Sequence, residues 1–124
     1  MNLYVSMHSN QPIYEQLKDQ IRQAILHQTL TPHAQLPSIR TLSKELSIGI
    51  LTVKRAYDDL VNEGFLVAQM GKGYYVNQVH LEDFRKIYTE KIRQLMNDVR
   101  QLANDIQLSD QELVDLLKET KEKS

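Results

Sequence analysis

The chain of 124 residues contains no cysteine and no tryptophan. Without cysteine it cannot form disulfide scaffolds, cysteine-ligated zinc sites or thiol nucleophiles. It also lacks any apolar run near the roughly 20 residues that a membrane span needs, and its start lacks the basic and apolar segments of a secretory signal. These absences predict a cytoplasmic protein with no membrane partner.

Neither sign of charge is in excess. The chain has 15 basic and 16 acidic side chains, and its net charge is −1. A nucleic-acid-binding function would therefore depend on how the basic residues are distributed rather than on total charge. Glycine and proline occur only before residue 80, and this change in composition predicts a boundary at His80, with domains over 1–80 and 81–124.

Apolar spacing in the first domain predicts three helices and a hairpin. An amphipathic helix ends near His27, and a second helix begins after Ser38, which can cap it. A third helix covers 50–63 and is followed by Gly64, where a C-cap favours glycine. Two strands around a glycine turn at 70–73 complete the order of a winged helix-turn-helix. We therefore expect a mainly α fold with a small β-hairpin.

The residues before the first helix carry two further predictions. Leu3, Val5 and Met7 alternate with polar residues, which favours a short strand. Asn10 lies just before the first helix, where its side chain can cap the helix.

The tail carries an apolar stripe along one long helix. The members of the stripe recur every three or four residues: Leu81, Phe84, Tyr88, Ile92, Leu95, Val99, Leu102 and Ile106. Ser109 and Glu112 then form a capping box at the start of a final short helix that carries Leu113, Leu116 and Leu117. Because a helical hairpin cannot bury this stripe alone, the tail predicts a homodimer.

The third helix is the expected recognition helix, because the second helix of a helix-turn-helix lies in the major groove of DNA. Near its start, Thr52, Lys54 and Arg55 offer a hydroxyl and two cations to bases and phosphates. Ile50 and Leu51 can contact the methyl groups of thymine. The start of this helix is therefore the candidate base-reading segment.

A solvated helix face is the alternative for the two cations. Lys54 lies four residues before Asp58, and Arg55 lies four before Asp59, a spacing at which an ion pair stabilises a helix by only about 0.2–0.5 kcal/mol. If the helix binds DNA, both aspartates are expected to point away from the phosphates.

Other basic residues fall on elements that flank the third helix. Arg40 and Lys44 lie one turn apart on the preceding helix, and a solvated face is again the alternative. Lys72 lies at the tip of the hairpin between Gly71 and Gly73. We expect these cations to converge on double-stranded DNA.

Four segments of the chain, in order and in spacing, resemble the GntR family of bacterial transcriptional regulators. They read PIYEQLKDQIRQAI, LPSIRTLSKELSI, TVKRAYDDLVNEGFL and GKGYYV, and they fall within residues 12–76. The short helical tail is similar to that of the YtrA-like branch. The resemblance implies a homodimeric repressor with an N-terminal winged helix-turn-helix, a C-terminal helical hairpin used for dimerisation, and transporter genes as targets. Two-fold symmetry implies an inverted-repeat operator.

The resemblance also assigns roles to individual positions. It places DNA contacts at Arg40, Thr52, Lys54, Gly71 and Gly73. Gly49 and Ile50 stand where many members carry Ser-Arg or Asn-Pro, so an arginine that reads bases is absent. Gln28 and His33 replace glycines that are usual in the linker, which predicts a positive φ at both residues.

No class of enzyme is indicated. The chain has no glycine-rich phosphate loop and no Ser/His/Asp motif, and its histidines lack the spacing of metal ligands: His8, His27, His33 and His80. No cofactor, metal or small-molecule effector is indicated, and Tyr4, Phe84 and Tyr88 fit structural packing better than a ligand pocket. The alternative function is a protein-interaction module whose winged helix no longer reads DNA.

Overall fold

A computed structural model describes residues 2–123, with side chains described for 2–121. Within that range five helices and one hairpin follow one another: α1 Ile13–Leu26, α2 Ile39–Leu46, α3 Ile50–Asn62, β1 Leu66–Gln69, β2 Gly73–Val76, α4 Leu81–Asp105 and α5 Asp110–Lys123. The predicted fold class is confirmed. Two compact units are present, the first ending at Leu81 and the second beginning at Glu82. None of these helices combines the length and apolarity that a bilayer crossing requires.

Local sequence explains most helix ends in the first unit. The Ser38 hydroxyl accepts a hydrogen bond from the Thr41 amide at 3.0 Å, as predicted for the cap of α2. Gly64 follows α3 with a φ of 88°, the left-handed conformation that a C-cap requires. The prediction of Asn10 as the cap of α1 is wrong, because Pro12 occupies the N-cap position and no side chain caps the helix.

The core of the first unit lies where α1, α3 and the hairpin meet. Its fully buried side chains are Leu17, Ile21, Val53, Tyr57, Leu60, Leu66 and Val76. Tyr57 is the largest of them, and its hydroxyl donates to the Pro37 carbonyl at 2.9 Å. Burial raises the pKa of Tyr57, so this hydroxyl stays a neutral donor. The face of α3 opposite this core is left to solvent.

Residues 2–11, the N-terminal arm, do not form the predicted strand. The arm is held instead by two glutamine side chains of α1. Gln20 accepts from the Tyr4 amide at 3.2 Å and donates to the Tyr4 carbonyl at 2.7 Å. Gln16 pairs with the amide and carbonyl of Ser6 at 2.8 and 3.0 Å. Because a side-chain amide offers one donor group and one acceptor like a peptide, the two glutamines replace a strand partner.

The hairpin has a third chain segment beside it. β1 and β2 pair antiparallel, with Leu66 opposite Val76. On the other edge of β2, the Leu36 amide donates to the Tyr74 carbonyl at 2.9 Å and the Val76 amide donates to the Ala34 carbonyl at 2.8 Å. This segment lies between Pro32 and Pro37 and has no apolar periodicity of its own. Pairing with it anchors the wing to the start of α2.

The second unit consists of α4 and α5. The Ser109 hydroxyl accepts from the Glu112 amide at 3.2 Å, as predicted, and an ion pair joins Arg100 to Asp110. α5 has 14 residues and is longer than the short helix that the sequence predicts. An apolar groove of about 440 Å³ lies between the two helices, and its apolar lining is formed by Met96, Val99, Leu113, Val114, Leu116 and Leu117.

Candidate nucleic-acid interface

The start of α3 is exposed and apolar. Ile50 and Leu51 are 51% and 79% exposed, and Thr52 beside them is half-buried. Gly49 precedes the helix in extended conformation and has no side chain that could cap it. The first backbone amides of α3 therefore have no hydrogen bond from a capping side chain. This end of α3 therefore offers uncapped amides to an anion and methyl groups to an apolar partner.

Three predicted DNA-contacting cations are exposed on the elements around α3. Arg40 and Lys44 lie on α2, and Lys72 lies at the tip of the hairpin. Among the side chains described, none of the three forms an ion pair with a carboxylate. Each cation therefore keeps its full charge for an external anion.

The wing tip is shaped by glycine and by one residue that sequence reasoning missed. Gly71 and Gly73 have φ values of 76° and 110°, which side chains rarely adopt. The Gln35 amide donates to the Lys72 carbonyl at 3.0 Å. Gln35 therefore fixes the turn that carries Lys72, and no local pattern identifies it because it lies 37 residues away in sequence.

Lys54 has a carboxylate partner. Its ammonium lies 2.5 Å from Oδ2 of Asp58, which confirms the ion pair considered from the spacing. Oδ1 of the same aspartate accepts from the Tyr74 hydroxyl at 2.8 Å. The hydrogen bond from Lys54, together with that from Tyr74, holds the pKa of Asp58 below its ordinary value. Asp58 was expected to point away from the DNA phosphates, but it lies beside Lys54, a predicted DNA contact.

Arg55 has a neutral partner. The guanidinium carbon lies 3.6 Å from the ring centroid of Tyr14, and Nη2 donates to the Tyr14 hydroxyl at 3.0 Å. The alternative pair between Arg55 and Asp59 does not form, and Asp59 lies 3.4 Å from Lys18 of α1 instead. Stacking on an aromatic ring orders the guanidinium without neutralising it. The contact of Tyr14 could not be predicted from the sequence, because it joins two helices and residues 41 positions apart.

The remaining cations of the first unit join α1 to the end of α3. Lys18 and Arg22 lie 2.9 and 3.0 Å from the carboxylate of Glu63. Although burial opposes it, the hydrogen bond and charge of Glu63 raise the pKa of Lys18. These ion pairs hold the second half of α3 against α1, whereas Ile50 and Leu51 at the start of the helix stay exposed.

The predicted dimerisation residues lie along α4. Five of them are exposed: Leu81, Ile92, Leu95, Leu102 and Ile106. Phe84, Tyr88 and Val99 are half-buried. Two further exposed side chains, Ile87 and Met96, extend this apolar surface beyond the predicted stripe. In the part of the chain described here, no three His, Asp or Glu side chains converge to hold a metal ion.

Comparison with known families identifies the first unit. The model of bacterial regulatory proteins of the gntR family matches residues 13–76, from the start of α1 to the end of β2. The chain belongs to the GntR family. This membership places it among DNA-binding transcriptional regulators rather than enzymes.

Relatives extend the similarity of this GntR-family protein into the tail. The HTH-type transcriptional repressor YtrA of Bacillus subtilis (strain 168) is 29% identical over 100 residues, which cover 77% of each chain. YtrA from Sulfolobus acidocaldarius, a GntR-family transcription factor, is 36% identical with a TM-score of 0.59, covering 73% of this chain and 95% of that one. The resemblance to the YtrA-like branch is confirmed.

A third similar protein was solved with DNA. The DNA-binding domain of AraR, in complex with operator ORX1, is 28% identical with a TM-score of 0.53, and the match covers 60% of this chain and 92% of that one. The chain spans 31% and 29% of the length of two other curated relatives that it matches. With such longer relatives it shares the DNA-binding unit alone.

Proposed function

We propose that this GntR-family protein is a homodimeric, sequence-specific repressor that binds an inverted-repeat operator in double-stranded DNA in the cytoplasm. One observation carries the proposal. Arg40, Lys44 and Lys72 have no carboxylate partner among the described side chains, and they lie on the elements around the exposed apolar start of α3. Unpaired cations beside an uncapped, solvent-facing helix fit the phosphates and base edges of a duplex.

In this proposal, some residues bind DNA phosphates and others contact the bases. Arg40, Lys44 and Lys72 bind phosphates from α2 and from the wing. The first turn of α3 enters the major groove, where the Thr52 hydroxyl meets a base edge and Ile50 and Leu51 meet thymine methyl groups. The AraR complex with its operator supports the use of this fold on DNA.

A second copy of the chain completes the molecule. The exposed apolar residues of α4, together with the groove between α4 and α5, offer a surface that a symmetric partner can bury. A two-fold dimer meets two equivalent half-sites, so the operator is an inverted repeat. The target genes that the resemblance implies are transporter genes, and loss of the protein should raise the transcripts of such genes beside its own.

The decisive experiment measures affinity for the DNA fragment upstream of the coding sequence of this protein, against a shuffled fragment of equal length. We expect tighter binding to the native fragment. We also expect Arg40→Ala to weaken that binding by about 1–3 kcal/mol, the worth of a charge-assisted hydrogen bond, with an unchanged melting temperature.

Lys118→Ala is the matched control, because it removes the same charge from the exposed face of α5. Equal losses from Arg40→Ala and Lys118→Ala would show that only net charge matters. Equal binding of native and shuffled fragments would instead favour a protein-interaction module.

A further inference from the structure

Asp58 is held in place by two elements at once. Its Oδ2 lies 2.5 Å from the ammonium of Lys54, and its Oδ1 accepts from the Tyr74 hydroxyl of β2 at 2.8 Å. Tyr74 is itself fixed, because its ring packs edge-on against the buried ring of Tyr57 with centroids 4.9 Å apart. Both oxygens of the Asp58 carboxylate therefore accept a hydrogen bond, and these two bonds fix the orientation of the side chain.

The position of Asp58 sets it apart from its neighbour. Leu51, Lys54 and Asp58 occur at i, i+3 and i+7 of α3, so they share one face of the helix. Leu51, at the start of that face, is one of the exposed residues to which the proposed function assigns DNA contact. Asp59 points to α1 instead, where it lies 3.4 Å from Lys18. Two adjacent aspartates thus have different partners on different faces.

We propose that Asp58 takes the place of a DNA phosphate at Lys54 and so limits the affinity of the protein for DNA of any sequence. The inference rests on the function proposed above. A lysine compensated by a carboxylate at 2.5 Å has little charge left for a phosphate, and the carboxylate repels the phosphate that would replace it. Tyr74 keeps the carboxylate from turning away when DNA approaches.

The consequence concerns binding to random sequence. Attraction to phosphates is independent of sequence and supplies nearly all non-specific binding. By withdrawing Lys54 from that attraction, Asp58 leaves the uncompensated cations Arg40, Lys44, Arg55 and Lys72 as the main phosphate contacts from this interface. Asp58 is thus an affinity-limiting residue for the proposed function, and the wing strand that carries Tyr74 sustains it.

Asp58→Asn tests the proposal with the full chain and a mixed-sequence duplex of about 30 base pairs, long enough for two successive major grooves. Affinity is measured between about 50 and 200 mM salt, the range over which phosphate contacts dominate its change. We expect the variant to bind about two- to fivefold more tightly per protomer, as expected for release of one exposed ion pair. We also expect the slope of log K against log[salt] to steepen by about 0.9 for each Lys54 released.

Two matched variants isolate the role of Lys54. Asp59→Asn removes the same charge from the adjacent position of α3, so it should leave the salt slope unchanged. Lys54→Ala should abolish the effect of Asp58→Asn, because no cation is then left to release. Melting temperatures of all the variants show whether the fold is kept.

Several outcomes would overturn the inference. Weaker or unchanged binding by Asp58→Asn would show that Asp58 positions Lys54 or has no part in binding. A steeper slope that persists without Lys54, or that Asp59→Asn reproduces, would show a general effect of charge. If the native chain binds no duplex at the lowest salt, the proposed function fails as well, whereas native binding with an unaffected Asp58→Asn variant contradicts this inference alone.

Discussion

Gln28 and His33 have backbone conformations that glycine adopts more readily. Their φ values are 61° and 70°, which lie in the left-handed region of the backbone. Gln28 follows the end of α1, where the Leu30 amide turns back to the Ala24 carbonyl at 3.0 Å. A side chain in the left-handed region costs roughly 1–2 kcal/mol. The chain therefore stores strain at the turn that leads to α2.

Gln28→Gly should stabilise the first unit. The substitution removes the strain at positive φ but increases the conformational entropy of the unfolded chain, which offsets roughly 0.5–1 kcal/mol of the gain. We expect a net increase of about 0.5–1 kcal/mol in the free energy of unfolding, which denaturant titration can measure. Gln23→Gly, at an exposed site within α1, is the control and should destabilise by about 1 kcal/mol. Loss of stability in Gln28→Gly would contradict the account.

At the scale of elements, the N-terminal arm depends on α1 rather than on a sheet. Four hydrogen bonds from Gln16 and Gln20 hold the backbone of Tyr4 and Ser6. Both glutamines lie on one face of the helix, at i and i+4. Four residues along the helix and two residues along the extended arm cover nearly the same length, so each glutamine lies opposite one residue of the arm.

Replacing Gln16 and Gln20 by alanine should release the arm. Each hydrogen bond contributes about 1 kcal/mol, so the Tyr4 and Ser6 amides should exchange with solvent about fivefold faster for each bond lost. Hydrogen exchange followed by NMR measures these amides directly. Gln23→Ala, on the same helix, should leave them unchanged. Equal exchange in the native chain and the double variant would show that the arm is not held by these side chains.

The helices and the hairpin could be predicted because their signals are local. Apolar spacing, the Ser38 cap and Gly64 each act within a few residues, and each was found where the sequence indicated. The contacts of Tyr14 with Arg55 and of Gln35 with the wing join residues 41 and 37 positions apart. Helical periodicity does not indicate such contacts, so Tyr14 and Gln35 could not be found from the sequence. The cations of the candidate interface and the Asp58 partner of Lys54 were found from the sequence, whereas the contacts of Tyr14 and Gln35 required the fold.

At the scale of the whole molecule, the proposed dimer rests on apolar residues of α4 that the described protomer leaves exposed. Leu95 and Leu102 are 63% and 67% exposed and occur seven residues apart, so they share a face. Burying such side chains contributes about 1.5–3 kcal/mol each. A pair of charges on this face should therefore prevent association.

Leu95→Glu combined with Leu102→Glu should convert the dimer to a monomer in light scattering at micromolar concentration. If the proposed dimer makes about six to eight phosphate contacts, its log K should fall with log[salt] at a slope of roughly −5 to −7. The monomeric variant should show about half that slope. Asn97→Glu combined with Asn104→Glu, on the opposite face of α4 by helical spacing, is the control. A native chain that scatters as a monomer would contradict the proposal.

The two halves of α3 are under different constraints. Ion pairs to α1 and the buried face fix the second half, whereas the side chains of Ile50 and Leu51 are at least half exposed and outside the core. Substitutions at these two positions should therefore change the proposed DNA-contacting surface with little effect on folding. After gene duplication, one copy could acquire a new operator by point mutation at Ile50 and Leu51 alone, while its scaffold stayed under unchanged selection.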